Sequence, residues 1–336
     1  METVDVIIVG GGPAGSSCAW RLGHYGVDCL VLDKAAFPRT KLCAGWITPE
    51  VVADLELDIA TYPHRFLTFD HIHFHFPLFG FTASTVQHSI RRYEFDAWLL
   101  ERAGAEVRVH EVRRLRRDGE GFVIDDSLRC RYLVGAGGTR CPVYRSLFRD
   151  TGPRARELQA VTLEQEFAYP YADPTCHLWF LEKGLPGYSW YVPKAGGYLN
   201  IGIGGMAARL KQRDDDIKVH WDNLTARLTR SGLVRDYPFD PGGYSYFIRG
   251  NVRAGRLGNA FIAGDAAGLA TRDMCEGIGP AVKSGLMVAE SIARGSAYRL
   301  EGIARYSNRS RLARRLLEFS FHRGSARSSR TGAQGY

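Results

Sequence analysis

The chain has 336 residues, 45% hydrophobic and 24% charged, a composition that supplies a full core and excludes the disordered and fibrous classes. Its net charge of +8 is spread along the chain until the C-terminal stretch and is accompanied by no nucleic-acid motif, so nucleic acid is not an expected partner. Seven cysteines without a Cys-x-x-Cys pair give neither a disulfide framework nor a zinc ribbon.

Met1–Asp5 carries no basic n-region, and the apolar run Val6–Val9 is cut by glycines. It reads as neither a signal peptide nor a membrane span, and the expected location is cytoplasmic. Val4 and Val6–Val9 instead form the continuous apolar run of a parallel strand buried on both faces. Gly10, Gly12 and Gly15 then follow the G-x-G-x-x-G pattern, with Pro13 and Ala14 opening a helix that Gly26 ends. The first glycine permits the turn, the second lets backbone approach a pyrophosphate and the third lets helix pack on strand. A second strand, Cys29–Leu32, delivers Asp33 with Lys34 beside it, near the offset at which an acid meets ribose hydroxyls.

Farther on, "FDHIHFHF" places His71, His73 and His75 on one strand face and Ile72, Phe74 and Phe76 on the other. The reading is a half-buried strand with polar rings toward water, and no metal is assigned. Strands around 105–112, 121–125 and 128–134 are expected to form a small β-meander. "YSWYVP" and "YLNIGIGG" flank Lys194–Gly197, which predicts a hairpin. Asn200, Gly202 and Gly204 then share one face, on which a flat group can approach the backbone. Tyr188, Trp190 and Val192 also share a face, forming a broad apolar wall suited to a long hydrocarbon or to ordinary sheet packing.

Ala260–Ala263 is another short apolar strand, delivering Gly264 and Asp265 at its carboxyl end. The sequence "CEGIGPAVKSGLMVAESIARG" follows, predicting a helix from near Gly279 to Gly295. Its free N–H groups would face a reduced isoalloxazine, held by Gly277, Ile278 and Gly279, while Asp265 accepts from ribityl hydroxyls. NAD needs only the first glycine element; two elements so far apart fit extended FAD. Near the C-terminus, Leu312, Leu316 and Phe319 form one helical stripe among Arg309, Arg311, Arg314 and Arg315. That pattern suits peripheral membrane contact through 309–323, or a solvated helix packed on the FAD domain. Residues from Gly324 onward read as a flexible tail.

The ordered set GGGPAG, "FPRTKLCAG" at 37–45, "RRYEFDAWL" at 91–99, "YLVGAGGTR" at 132–140, "PGYSWYVP" at 186–193 and "GDAAG…EGI…SG" resembles the geranylgeranyl reductase family of FAD-dependent oxidoreductases. That family shares the p-hydroxybenzoate hydroxylase-like fold with aromatic hydroxylases and flavin-dependent halogenases. The resemblance implies that Arg92 contacts FAD and that Lys41, Cys43 and Ala44 lie beside the isoalloxazine. Gly135 belongs to the same cofactor set. Tyr188, Trp190 and Pro193 would line the substrate channel, and Cys43, Tyr188 and Trp190 are the catalytic candidates. In the position where family members carry glycine, Trp46 would bring a bulky ring toward the flavin.

The expected fold is therefore α/β: an FAD-binding Rossmann-like domain of the glutathione-reductase type with an inserted, mostly antiparallel β substrate domain. Residues 1–66, 92–150 and 251–295 are assigned to the first, 67–91 and 151–250 to the second, and 296–336 to a C-terminal helix and tail. The expected activity is reduction of C=C bonds in a polyprenyl or other large apolar substrate, with NADPH or NADH as reductant. A monooxygenase, a halogenase and a flavin-binding protein without turnover are the alternatives.

Overall fold

In chain order, the computed structural model, which describes residues 1–252, 254–308 and 310–322, opens with β1 (Glu2–Val9), α1 (Pro13–His24) and β2 (Cys29–Asp33). Next come β3 (Trp46–Ile47), α2 (Pro49–Asp54), β4 (Leu67–His75), β5 (Gly80–Ser89) and α3 (Arg92–Arg102). Four strands follow: β6 (Glu106–Val109), β7 (Leu115–Asp118), β8 (Gly121–Ile124) and β9 (Leu128–Gly135). The middle of the chain supplies β10 (Gln159–Ala168), β11 (Cys176–Phe180), β12 (Gly187–Lys194), β13 (Tyr198–Met206), α4 (Ala207–Gln212), α5 (Ile217–Arg230) and β14 (Gly242–Phe247). The last elements are β15 (Arg256–Leu257), β16 (Ala260–Ile262), α6 (Ile278–Arg294) and α7 (Arg311–His322).

These elements build two sheets. The first has the order β15-β16-β9-β1-β2-β6, with β7 and β8 attached antiparallel to β9. Its central strands are parallel, and Ile7 and Ile8 of β1 are fully buried, as a strand covered on both faces requires. Helices α1, α3 and α6 contribute to the core on one face, while β8, Tyr144 and Phe148 contribute to that on the other. The expected meander is shifted: 106–109 pairs with β2 at the far edge, and the meander consists of β7, β8 and β9. The charged residues of β7 had hidden it as a loop.

The second sheet has the order β14-β10-β13-β12-β11-β4-β5-β3 and is antiparallel except where β11 meets β4. The predicted hairpin is β12 and β13, turning through Gly196 and Gly197 at φ 75° and 72°. One face of this sheet packs on α5 through Ile201, Ile203, Trp221 and Leu224. The other bears Tyr188, Trp190 and Val192 and packs against Ala44 and Met274 of the loops leading from the first sheet. Helix α7 packs against this second face through Leu317 and Phe321. It bridges the substrate sheet and the 251–295 segment, where Arg272 pairs with Glu318 at 2.6 Å, and its inward side carries Leu317 and Phe321 rather than the predicted stripe. Leu312 and Phe319 of that stripe are exposed. Arg309, Arg323 and the tail from Gly324 lie outside the described residues.

Candidate cofactor and substrate site

The first glycine loop leaves β1 with Gly10 at φ 111°, where a Cβ would also strike the Ala136 carbonyl. A Cβ at Gly15 would sit 1.8 Å from the Gly10 oxygen, so α1 can start against the strand only with glycine there. Gly12 is bare except for the Arg39 guanidinium, 3.5 Å from its virtual Cβ. The Asp33 carboxylate accepts from the backbone N–H groups of Gly11 at 2.8 Å and Ala35 at 3.0 Å. It therefore ties the end of β2 to the loop. Arg39 lies 3.9 Å from Asp33 and 3.7 Å from Asp96 and stacks on Phe37. This cation beside the half-buried Gly12 at the start of α1 has the chemistry of a pyrophosphate site. Lys34 is exposed next to it. Gly135 has a packing reason to be glycine, since its Cβ would meet Val143 at 2.7 Å.

The second element starts at the end of β16, where Gly264 donates its N–H to Ser284 Oγ at 2.9 Å. Asp265 stands in the following turn, 3.5 Å from the virtual Cβ of Gly277. Helix α6 begins at Ile278 and ends in the left-handed Gly295, as predicted. Its N-terminus is not free, however: Glu276 accepts the Gly279 N–H at 2.6 Å. The carboxylate is the nearest anion to an end of positive dipole and caps its own helix. Burial, with Asp273 and Asp265 adding, pushes the Glu276 carboxyl up to about 7 despite those backbone bonds.

Between the two elements, buried Arg92 donates to Asp96 at 2.5 and 2.7 Å and interacts with the Cys43 thiol. The loop 41–45 that carries Cys43 is pinned from the substrate sheet. Lys194 is fully buried and donates to the Ala44 carbonyl at 2.8 Å and to the Ile90 carbonyl, with Glu166 3.3 Å away. Lys41 stands 3.2 Å over the Tyr244 ring. Asn200 donates to the Cys43 carbonyl at 3.3 Å and accepts from the Trp190 indole at 2.7 Å. Trp190, Asn200 and Cys43 are thus linked by hydrogen bonds from the second sheet to the 41–45 loop.

The wall itself is ordered in transverse rows. Gly242, Glu164, Gly202, Trp190, Leu178, Phe74 and Phe81 are direct neighbours across β14, β10, β13, β12, β11, β4 and β5. Glycine at 202 lets the Trp190 ring lie flat over β13, since a Cβ there would be 2.2 Å from that ring and 2.8 Å from Glu164 Cβ. Tyr188 donates to the Met274 carbonyl at 2.7 Å, and burial raises its hydroxyl well above the usual range. Trp46 follows the 41–45 loop directly. It enters β3, pairs with Ser89, and its ring joins Phe69 and Trp190 in the wall. Cys275 is pushed up to about 12 by burial and packs beside Tyr246 and Phe321.

The predicted histidines do share a strand face. His75 meets His177 at 3.1 Å, and His177 meets Asp173 at 2.9 Å. Burial and the neighbouring imidazoles lower His75 to about 4.

The structure brings the predicted Gly10, Asp33, Gly135 and Gly264 to the carboxyl ends of the parallel strands β1, β2, β9 and β16, and sets Cys43 between Arg92 and Asn200 of the substrate sheet. Sequence reasoning missed Arg39, Glu164, Lys194 and Glu276, and set Asn200 on the glycine face without its partners Trp190 and Cys43. A signal existed for Glu276, an acid in the glycine-rich turn just before α6; Glu164 and Lys194 lie in strands where nothing local marks them. The residues present fit FAD: the uncovered loop at Gly12 with Arg39 suits the diphosphate, and the 264–279 turn with Arg92 and the 41–45 loop suits the ring end.

The sequence profile of the FAD binding domain family matches residues 3–53 and 96–320. Menaquinone reductase of Mycolicibacterium smegmatis is 31% identical over 90% of this chain and 78% of its own length. The protein of the same name from Mycobacterium tuberculosis is 30% identical over 63% of this chain, which spans 58% of its length. Geranylgeranyl diphosphate reductase of Rhodobacter capsulatus is 25% identical over 85% of this chain and 74% of its own. Among solved structures, a geranylgeranyl bacteriochlorophyll reductase-like protein from Thermoplasma acidophilum superposes with a TM-score of 0.74 at 20% identity, over 95% of this chain and 83% of that one. With the cofactor cradle and the two-sheet architecture in place, the chain belongs to the FAD binding domain family and, within it, to the geranylgeranyl reductase family of FAD-dependent oxidoreductases.

Proposed function

We propose that this flavoprotein reduces C=C bonds in the polyprenyl chain of a large apolar substrate. When bound and reduced, FAD supplies a hydride from its N5. The carrying observation is the row from Phe81 through Phe74, Leu178 and Trp190 toward Glu164, opposite the 41–45 loop. It is apolar along most of its length and turns polar only at the end nearest the loop, which suits a hydrocarbon chain whose reacting bond stops there. The similar proteins support this reading, since menaquinone and geranylgeranyl diphosphate both carry isoprenoid chains. Trp190, held by Asn200, orients the chain; Leu317 and Phe321 exclude water from the wall until substrate replaces them. Cys43 lies at the ring end of the cradle. A reduced nicotinamide, NADPH or NADH, is the reductant we assign.

No helix among the described residues is long and apolar enough to cross a membrane. We place the protein in the cytoplasm, against a membrane surface, from which a lipid substrate would be drawn. The contact is made by exposed Leu312 and Phe319 of α7 with the β4–β5 tip, where Leu78 is 96% exposed. Phe76 and Phe79 stack there, and Phe76 stacks in turn on Phe180.

The test is anaerobic. Purified protein reduced with NADH or NADPH is mixed with a geranylgeranyl lipid, and flavin reoxidation is followed with mass analysis of the product. Reoxidation with a gain of two hydrogens is expected. Inertness toward the lipid, with rapid substrate-linked oxygen consumption, would replace this reading by the monooxygenase or halogenase one.

A further inference from the structure

Glu164 is a buried carboxyl that the assignment above leaves without a task. It is 3% exposed, and its Oε2 is buried without a hydrogen-bond partner. Both of its cross-strand neighbours, Gly242 and Gly202, are glycines. Neither glycine supplies a side chain of its own; instead Leu42 of the 41–45 loop covers Gly242, and the Trp190 ring covers Gly202. A carboxyl so placed lies at the polar end of the apolar row, under the loop that carries Cys43. An unpaired buried oxygen costs stability, and so calls for a function to account for it.

We propose that Glu164 is the proton donor of the alkene reduction, an assignment that rests on the reductase reading. Saturating a C=C bond takes two hydrogens. One arrives as the hydride, carrying both electrons and oxidising the reduced flavin. The other comes from Glu164 as a proton: its O–H bond breaks, a C–H bond forms at the second alkene carbon, the π bond is consumed, and a carboxylate remains that water reprotonates after product leaves. The surroundings serve both states. Burial holds the carboxyl neutral, pushing it up to about 7, while Lys41, Lys194 and a hydrogen bond from Asn200 favour the carboxylate and Glu166 opposes it. Tyr246 on β14 is kept neutral by burial, with Glu164 among the acids that add to its rise. A donor whose proton is held near neutral pH, with cations ready for the anion, meets the requirement of general acid catalysis.

The experiment compares wild type with Glu164→Gln. In the FAD-loaded protein, the variant is expected to be reduced by NAD(P)H at the wild-type rate but to reduce the lipid about 10²-fold more slowly or worse. Wild type is expected to lose activity as pH rises through about 7, and that loss should be absent from what remains in the variant. Infrared difference spectra against pH, which need no turnover, should show a protonated carboxyl in wild type that the variant lacks. Lys41→Met should move its titration upward, which keeps the test open if Glu164→Gln does not fold. A variant that retains rate and pH profile, or a wild-type carboxyl already ionised at pH 5, would overturn the assignment. If wild type itself fails to reduce the lipid, the reductase reading falls, and with it the role of the proton.

Discussion

The Lys194 ammonium, on the substrate sheet, donates to the Ala44 carbonyl 2.8 Å away in the loop beside the cofactor cradle. The pair is separated by 150 residues, and a fully buried lysine tolerates its desolvation only because two carbonyls and Glu166 receive it. The substrate wall and the 41–45 loop therefore cannot move independently.

Replacing Lys194 by Met should leave the two carbonyls without their donor and Glu166 with only Arg91, 2.9 Å away, as its cation. We expect a loss of about 3 kcal/mol of stability and roughly tenfold weaker FAD binding, from the freed loop. Urea unfolding and flavin-fluorescence titration measure the two. An unchanged FAD affinity would mean that the loop holds its shape without Lys194.

Gly202→Ala tests the wall. The new methyl meets the Trp190 ring, and overpacking of this kind costs about 1–3 kcal/mol. Tryptophan emission should shift as the ring leaves Asn200, and lipid reduction should fall more than flavin reduction by NAD(P)H. If both half-reactions fall equally, Trp190 is not part of the substrate wall.

Stability should depend on pH through Glu164 and Glu276, both raised from 4.5 to about 7. The folded chain keeps protons that the unfolded chain releases, so stability is full below about 4.5 and falls as pH rises toward 7. Glu164→Gln removes its share of the fall. Relative to wild type the variant should gain on the order of 3 kcal/mol between pH 5 and pH 8. Chemical unfolding at the two pH values reads it directly, and an equal difference at both would show the carboxyl to be ionised throughout.

Membrane contact predicts co-sedimentation with anionic vesicles and little with zwitterionic ones, given exposed Arg311 and Arg315 beside Leu312. Burying a Leu or Phe side chain contributes about 1.5–3 kcal/mol, so Leu78→Asp with Phe79→Asp should lower binding about 10²-fold or more. Concentration-dependent dimerisation lost in the same variant would assign this patch to a second copy of the chain instead.

What could be read from sequence were the features whose physics is local. The β1–Gly10–α1 unit and the 264–295 unit were legible because strand burial, turn glycines and helix caps all lie within short windows. The Gly202 face was legible because strand residues alternate. Lys194 with Ala44 and Glu164 with Trp190 were not, since strand pairing decides them and nothing in either segment names its partner. The orientation of α7 was misjudged for a related reason. Two apolar stripes compete on that helix, and which one turns inward depends on a sheet formed far upstream.

The first sheet also sets an order of assembly. Its centre, β1 and β9, is flanked on one side by β16, which leaves the ribosome only after the entire substrate sheet has been made. The nascent chain must hold an open sheet edge beside β9 while some hundred intervening residues fold. That edge is the segment most exposed to mispairing, and early cofactor capture is unavailable because half of the cradle follows β16. Two separately expressed fragments divided within 151–250 should therefore be unable to bind FAD alone, yet should regain it when mixed.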